Sequence, residues 1–289
     1  MVVGIVFFRD HTKYLSRIVD ELVAKEWDVV VWNNTNLHLN LSGAEVIGFG
    51  RNLGSSGGFL HLLKYIENNY SDFVVLLDDD NALKGDVEMA QLRIDSIGYI
   101  HRNDKNAYTK QFVEDFSIYG SKSSFLGKGI GAGLMRNGPL LFPYGGLVFH
   151  SERLKEWKIY PDESYYLYSD DHDWTMRLGF SGVSFYLLEN TSIEDLETSW
   201  NSSKGGFLSG LVANSRSPRL YYAIRNRVLL ERKVTHGLFS MALYVINFSI
   251  ISTLLILILI YKRKNPKLLV TALYDGILGK TGKHEDLRH

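Results

Sequence analysis

Two acidic clusters about ninety residues apart carry the chemistry this chain can do: Asp78-Asp79-Asp80, and Asp170-Asp171-His172-Asp173 ahead of Trp174. The first closes the apolar run Phe73–Leu77. Such a run reads as a buried parallel strand, and open α/β sheets place ligands outside the carboxyl ends of those strands. Adjacent aspartates repel one another unless a cation or hydrogen-bond donors compensate them. In an extended segment Asp78 and Asp80 point one way and Asp79 the other, so one face offers two carboxylates. Mg²⁺ or Mn²⁺ suits that pair, with phosphate oxygens filling its remaining positions and the cation offsetting charge on a departing diphosphate. The competing reading is a solvated acidic turn.

The second cluster suits proton abstraction from an incoming hydroxyl, since a carboxylate among other acids is drawn toward neutral pH. His172 is a candidate base or ligand, although an ordinary surface histidine is the plainer reading. Trp174-Thr175-Met176-Arg177-Leu178 continues as a helix, and acids favour a helix start, so capping is the alternative account of the cluster.

Upstream, Arg51-Asn52 leads into Leu53-Gly54-Ser55-Ser56-Gly57-Gly58. A guanidinium and a glycine-rich turn suit a diphosphate or ribose, whereas glycine needed only for tight helix entry is the plainer reading. Gly127-Lys128-Gly129-Ile130-Gly131-Ala132-Gly133 lacks the Gly-Lys-Ser/Thr ending of a phosphate loop and follows no clear strand. Mixed-sheet or turn structure is expected there.

The elements that must position these groups follow from pattern. Val2–Phe8, Asp28–Trp32, Ala44–Gly48 and Asp72–Leu77 read as strands. Tyr14–Lys25, with Leu15, Ile18, Val19 and Leu22 on one face, reads as a helix, as does the stretch from about Phe59 to Asn68. This alternation predicts a parallel sheet with right-handed crossovers. Pro143–Phe149 reads as a strand whose glycines, Gly145 and Gly146, leave room for a close neighbour. The expected division is a catalytic domain over 1–205, its halves meeting near residue 100, and a helical region over 206–289.

Composition narrows the classes. Lys+Arg and Asp+Glu are both 32, so no global basic field points to nucleic acid. There is no cysteine, which removes disulfides and thiolate metal sites. The opening MVVGIVFF carries no basic leader and is expected to be a first strand rather than a signal peptide. Leu238–Tyr261 is apolar and uncharged over a length that satisfies the roughly 20 residues of a bilayer crossing. Arg225, Arg227, Arg232 and Lys233 precede it and Lys262-Arg263-Lys264 follow. Basic residues on both flanks leave three arrangements open: a spanning helix, one lying in the interface, or a re-entrant pair with Leu268–Leu278. An oligomer interface or buried core helix is the non-membrane alternative.

With these residues assembled, the chain resembles the inverting GT-A glycosyltransferases of family 2, the group that holds bacterial rhamnosyl- and galactofuranosyltransferases. The matching pieces are Asn33-Asn34, Arg51 through Phe59, Asp78-Asp79-Asp80, Gly145-Gly146 and Tyr168 through Leu178, covering about residues 1–190. Tyr221-Tyr222-Ala223-Ile224-Arg225-Asn226-Arg227 and Asp275 through Gly282 also resemble the polysaccharide-synthesising members.

The resemblance implies a GT-A fold with a Rossmann-like, mostly parallel sheet and a C-terminal membrane-associating helical segment. It implies a nucleotide-diphosphate sugar donor, with galactofuranose or rhamnose favoured, and a lipid-linked or growing polysaccharide acceptor. Asp78 and Asp80 would lie at a Mg²⁺ or Mn²⁺ ion and Asp171 would be the base. Asp170 would stand in the catalytic group with it, and Asp173 would orient acceptor or supporting side chains. Phe7, Arg9, Asn33, Arg51, Asn52, Gly57, Gly58 and Asp79 would line the donor site, and Gly145, Gly146, Trp174 and Arg177 the acceptor site. The expected setting is the cytoplasmic face of a bacterial membrane, against anionic lipids, with homo-oligomerisation left open.

Two departures stand out. Asn33-Asn34 replaces the usual Asp-Asn. The stretch Ile193-Glu194-Asp195 lacks the histidine that completes the metal site in several galactofuranosyl enzymes, leaving Glu194, Asp195 or donor phosphates to do so. Two other classes remain in view, a metal-dependent nucleotidyltransferase and a non-catalytic sugar-binding or assembly protein at the membrane.

Overall fold

The computed structural model describes residues 1–8, 12–48, 50–102, 141–197, 212–234, 238–285 and 287. Arg9 and the run Gly127–Gly133 lie outside the described residues.

Val2–Phe7 forms β1, buried at every position because its apolar run has protein on both faces. Thr12–Val23 forms α1 and buries Leu15, Ile18, Val19 and Leu22, the face its spacing predicts. Asp28–Asn33 (β2), Ala44–Ile47 (β3), Gly54–Asn69 (α2) and Phe73–Asp78 (β4) follow. Helix α2 begins at Gly54, five residues before the expected start near Phe59. Asn52 Oδ1 accepts from Gly54 N at 2.8 Å and Asn34 Oδ1 from Leu53 N at 2.8 Å. Satisfying orphan amides in this way lets a helix form through glycine and serine that otherwise favour a turn.

Asn81–Gly85 (β5), Ser96–Arg102 (β6), Leu147–His150 (β7), Glu152–Trp157 (α3), Asp170–Phe180 (α4) and Ser184–Asp195 (β8) complete the first compact unit. Its eight-stranded sheet runs in the order β3-β2-β1-β4-β7-β6-β8-β5. The first four strands are parallel as expected. The other half is mixed, which corrects the expectation of a mostly parallel sheet: β7 is antiparallel to both β4 and β6 and β5 is antiparallel to β8, while β6 and β8 pair in parallel. Each reversal is local, so β1, β2, β4, β6 and β8 all end at one edge, where β5 and β7 begin.

The two-residue side-chain period divides the core. Val2, Val6, Val30, Val74 and Leu76 pack with Phe59, Leu62, Leu63 and Ile66 of α2 and Trp174 and Leu178 of α4. Val3, Ile5, Phe7, Val29, Val31, Val75 and Leu77 pack with the buried face of α1. Each such side chain contributes about 1.5–3 kcal/mol on burial. Gly58 sits where α2 crosses the sheet, and a Cβ there would come within 2.7 Å of Val6 Cγ1.

The second unit contains Pro218–Val234 (α5), Leu238–Tyr261 (α6) and Lys267–Leu278 (α7), together with the segment Ser164–Ser169. Leu220, Tyr221, Tyr222, Ile224 and Val228 of α5 join Leu255 and Leu259 of α6, Leu269, Ala272 and Leu273 of α7, and Tyr166 in one core. Within it Arg225 and Asn226 are buried. Asn226 Nδ2 donates to the carbonyls of Tyr165 (2.8 Å), Leu167 (2.6 Å) and Tyr168 (2.9 Å), and Arg225 Nη2 donates to Tyr165 O (2.9 Å). Tyr166, Tyr168 and Ser169 have φ of 65°, 67° and 63°. Non-glycine residues hold this left-handed region only when their surroundings over-determine it, which the buried carboxamide does.

Candidate active site

The carboxyl-end edge of the sheet collects the chemistry-bearing groups of the first unit. Asp79 is buried, and its Oδ2 accepts from Phe8 N at 2.8 Å, tying the end of β4 to the end of β1. Asp79 and Asp80 form the turn after β4 rather than continuing the strand, so the alternation expected of an extended Asp78–Asp80 does not hold. Asp80 Oδ1 accepts from Asn81 Nδ2 at 3.2 Å, and Asn81 Oδ1 accepts from Asp78 N at 3.1 Å.

Arg102, at the end of β6, closes the cluster. Its guanidinium pairs with Asp195, donates through Nη2 to Asn81 Oδ1 and Gly145 O (3.2 Å each), and lies 3.7 Å from Asp78 Oδ2. Burial pushes the Asp78 carboxyl up to about 7 against the lowering pull of Arg102, with Asp80, Asp79 and Asp195 adding to the rise. The Asp78 side chain keeps 41% of its surface exposed, so water tempers that rise and the group stands where a ligand reaches it. Gly145 is required here. A Cβ would collide with Asn81 Oδ1 and come within 2.7 Å of Arg102 Nη2 and 2.9 Å of Asp78 Oδ2. Gly146, with φ of 102°, donates to Leu76 O (2.8 Å) and accepts from Ile100 N (2.9 Å), which fixes the turn between β4 and β6.

The second acidic cluster forms the first turn of α4. Its three aspartates have different surroundings. Asp170 is 2% exposed and accepts from Ser55 Oγ at 2.8 Å, with the Tyr144 hydroxyl beside it. Burial, reinforced by Asp171, raises the Asp170 carboxyl far above the carboxylate range, while Ser55 and Tyr144 pull it back. Burial also lifts the Tyr144 hydroxyl well above its ordinary value. Asp173 is wholly buried and accepts from Arg177 Nε at 2.7 Å, and Arg177 Nη2 donates to Tyr160 O at 2.7 Å. Asp171 is half-buried, and its Oδ1 accepts from His172 N at 2.7 Å. Of the three, Asp171 is the only one that is not buried. Trp174 is fully buried, its Nε1 donating to Ile159 O at 2.8 Å beside Tyr144 and Phe149.

Residues 144 and 145 link the two clusters. The Tyr144 hydroxyl lies beside Asp170, and the very next residue is the glycine whose missing side chain makes room for Asp78. One aspartate of each cluster, Asp170 and Asp78, therefore lies against this pair of adjacent residues.

The other sequence-selected residues take these places. Asn33 Nδ2 donates to Leu37 O at 2.7 Å, and its Oδ1 accepts from Thr35 N and Oγ1, which organises the loop after β2. Asn34 and Asn52 cap the start of α2. Gly57 packs against Leu53, where a Cβ would lie 2.7 Å from Leu53 Cβ. Phe7 is fully buried in the core on the α1 side. Arg51 is exposed. Glu194 pairs with Lys84 at 3.1 Å, and Asp195, within the Asp78 cluster, binds Arg102 and Asn81 (Nδ2 at 3.0 Å), so each residue weighed as a third metal ligand is paired with a basic side chain. Among the described residues no group of three or more acidic or histidine side chains is arranged to hold a metal.

Sequence reasoning missed Arg102, Ser55, Asn81 and Tyr144. Arg102 carried one usable signal, since it ends an apolar strand as Asp78 does.

No family model matches the chain, and no curated protein matches it. Among solved structures it is similar to S. aureus TarS residues 1–349 in complex with UDP-GlcNAc. Identity is 14%, coverage 96% of this chain and 92% of that one, and the TM-score 0.46. It is also similar to GalNAc-T7 with UDP, GalNAc and Mn²⁺, at 10% identity, 78% and 46% coverage and a TM-score of 0.47.

Proposed function

We propose that the chain is an inverting glycosyltransferase of GT-A type, moving a sugar from a nucleotide-diphosphate donor to a hydroxyl acceptor. The observation that supports this reading is that Asp170 lies beside Tyr144 and Asp78 beside the adjacent Gly145, so one member of each acidic cluster approaches the same two residues. One cluster suits a diphosphate and the other a proton to be removed, which is the division of labour that a single in-line displacement needs.

Asp171 takes the proton of the acceptor hydroxyl as that oxygen forms its bond to the anomeric carbon. The bond from that carbon to the diphosphate oxygen breaks, and its electron pair leaves with the nucleoside diphosphate. Asp170, held by Ser55, fixes the first turn of α4 so that Asp171 stays aimed outward. Asp79 locks the strand end through Phe8 N, which leaves Asp78 and Asp80 facing the donor. Two hard oxygen donors fit Mg²⁺ or Mn²⁺, a class of cation that takes one or two carboxylates and completes its shell with phosphates and water. Asp78 and Asp80 would hold it, and when bound it offsets charge on the leaving diphosphate.

The finer reading follows the sequence resemblance: galactofuranose or rhamnose as the sugar, and a lipid-linked or growing polysaccharide as the acceptor. The apolar helix α6 supports membrane association, on the cytoplasmic face of a bacterial membrane in that reading.

The test is Asp171→Asn. Its turnover should fall by about 10²–10⁴ while nucleoside-diphosphate binding stays at the parent level. Parent-level turnover in this variant would remove Asp171 from the base role.

A further inference from the structure

Helix α6 is long enough to cross a bilayer, at ~36 Å for its 24 residues against ~30 Å of hydrocarbon. What decides its placement is how its two ends are tied. Helix α5 ends at Val234, three residues before α6 begins, and α7 begins at Lys267, five residues after α6 ends. Those flanking helices pack directly on each other. Tyr221 Oη donates to Asp275 Oδ2 at 2.8 Å, Arg232 Nη1 donates to Gly276 O at 3.1 Å, and a Cβ on Gly276 would lie 2.8 Å from Val228 Cβ.

The link after α6 is also short and turned. Lys264 N donates to Leu259 O (2.8 Å) and Arg263 N to Ile260 O (2.9 Å), with Arg263 at φ 54°. This paired closure around a left-handed residue stops a helix and reverses the chain. Were α6 to span, α7 would have to return from the far side to reach α5. Its 12 residues measure ~18 Å, short of the hydrocarbon thickness. The crossing would leave Asp275, its ion pair with Lys280 (2.8 Å) and Arg232 in lipid, where charged groups are costly.

The burial of α6 leaves a broad apolar face open. Tyr244, Asn247, Ser252, Leu255 and Leu259 form a buried stripe along its length. Val245, Ile246, Leu254, Leu257 and Ile260 are exposed on the other side, where Ser249 satisfies its hydroxyl by donating to Val245 O at 2.8 Å. Lys262, Arg263, Lys264 and Lys267 are exposed at the end of this apolar face. An apolar stripe beside a basic cluster matches an anionic lipid surface, acyl chains against the stripe and headgroups against the lysines.

We propose that α6 lies in the plane of an anionic lipid surface and anchors the chain monotopically rather than crossing the bilayer. This rests on the membrane reading above and fixes its topology.

The chain has no cysteine, so single ones report cleanly. Leu238→Cys and Lys262→Cys variants of the full chain would be synthesised cell-free with preformed phosphatidylcholine vesicles, with and without phosphatidylglycerol. A membrane-impermeant maleimide is then added outside. The expected result is recovery with the anionic vesicles and labelling of both cysteines before detergent. Protection of either cysteine until detergent is added would overturn the in-plane placement while leaving membrane association intact. No recovery with either vesicle would overturn membrane association itself. Lys262→Glu/Lys264→Glu should cut recovery at least about tenfold on anionic vesicles and leave catalytic turnover in detergent unchanged, which a buried-core role for α6 would not produce. Undiminished recovery of this double variant would contradict the proposed headgroup contact.

Discussion

Replacing Gly145 by alanine tests the geometry of the donor edge most sharply. The added methyl would collide with Asn81 Oδ1 and press on Arg102 Nη2 and Asp78 Oδ2. None of these can retreat freely. Asn81 Oδ1 accepts from Asp78 N and Arg102, and Arg102 is held by Asp195 and Gly145 O. Overpacking of this kind costs about 1–3 kcal/mol, and losing one of the hydrogen bonds adds about 1 kcal/mol. A net loss of about 3 kcal/mol corresponds to a melting temperature lower by about 6–12 °C for a chain of this size.

Because the displaced atoms include the Asp78 carboxylate, nucleoside-diphosphate affinity should fall at least about tenfold as well, equivalent to about 1.4 kcal/mol. Gly146→Ala is the comparison. It strains a φ of 102° and presses on Ile193 Cδ1, the end of a flexible side chain away from the acids. It should therefore lower the melting temperature without a comparable loss of affinity. Thermal denaturation and calorimetric titration with a panel of nucleoside diphosphates read both quantities. A Gly145→Ala protein that melts and binds like the parent would refute this description of the site.

Further expectations follow from the same contacts. Asp170 is raised in the folded chain, so the folded state keeps a proton that the unfolded chain releases in the ordinary carboxylate range. Stability is therefore greatest below that range and falls as pH rises toward the folded value; Asp170→Asn should flatten this slope in urea denaturation at mildly acidic and mildly alkaline pH. Arg177→Met strands the buried Asp173 carboxylate without its guanidinium and should cost about 3–5 kcal/mol in the same assay. Asn226→Ala removes the donor that gathers three carbonyls of the left-handed run and should speed proteolysis near Tyr165–Tyr168 by more than tenfold, equivalent to about 1.4 kcal/mol.

What could be read in advance depended on how local the cause was. The α1 face was legible because Leu15, Ile18, Val19 and Leu22 repeat with the helix period. Asp78 was legible as a strand end because its five apolar predecessors are contiguous. The start of α2 was not, since it depends on Asn34 reaching Leu53 across the chain. The antiparallel pairings of the sheet escaped for a similar reason: β7 pairs Val74 with Phe149, and nothing near either residue announces the partner. Within the second cluster, sequence grouped Asp170, Asp171 and Asp173, and only packing separates the hydroxyl-bonded acid, the half-buried acid and the ion-paired acid. Arg102 shows the limit most clearly, because a lone arginine whose carboxylate partner is Asp195 forms no motif.

The central claim is transfer from a nucleotide-diphosphate sugar, and the direct measurement is acceptor-stimulated release of nucleoside diphosphate. Detergent-solubilised full-length protein would be given a panel of UDP-, dTDP- and GDP-sugars with Mg²⁺ or Mn²⁺ and a lipid-linked acceptor extract. The account predicts release from one donor, stimulated by acceptor and abolished in Asp171→Asn, with the anomeric configuration of the transferred sugar inverted. Folded, nucleotide-binding protein that releases nothing across the panel, or a product with retained configuration, would contradict it.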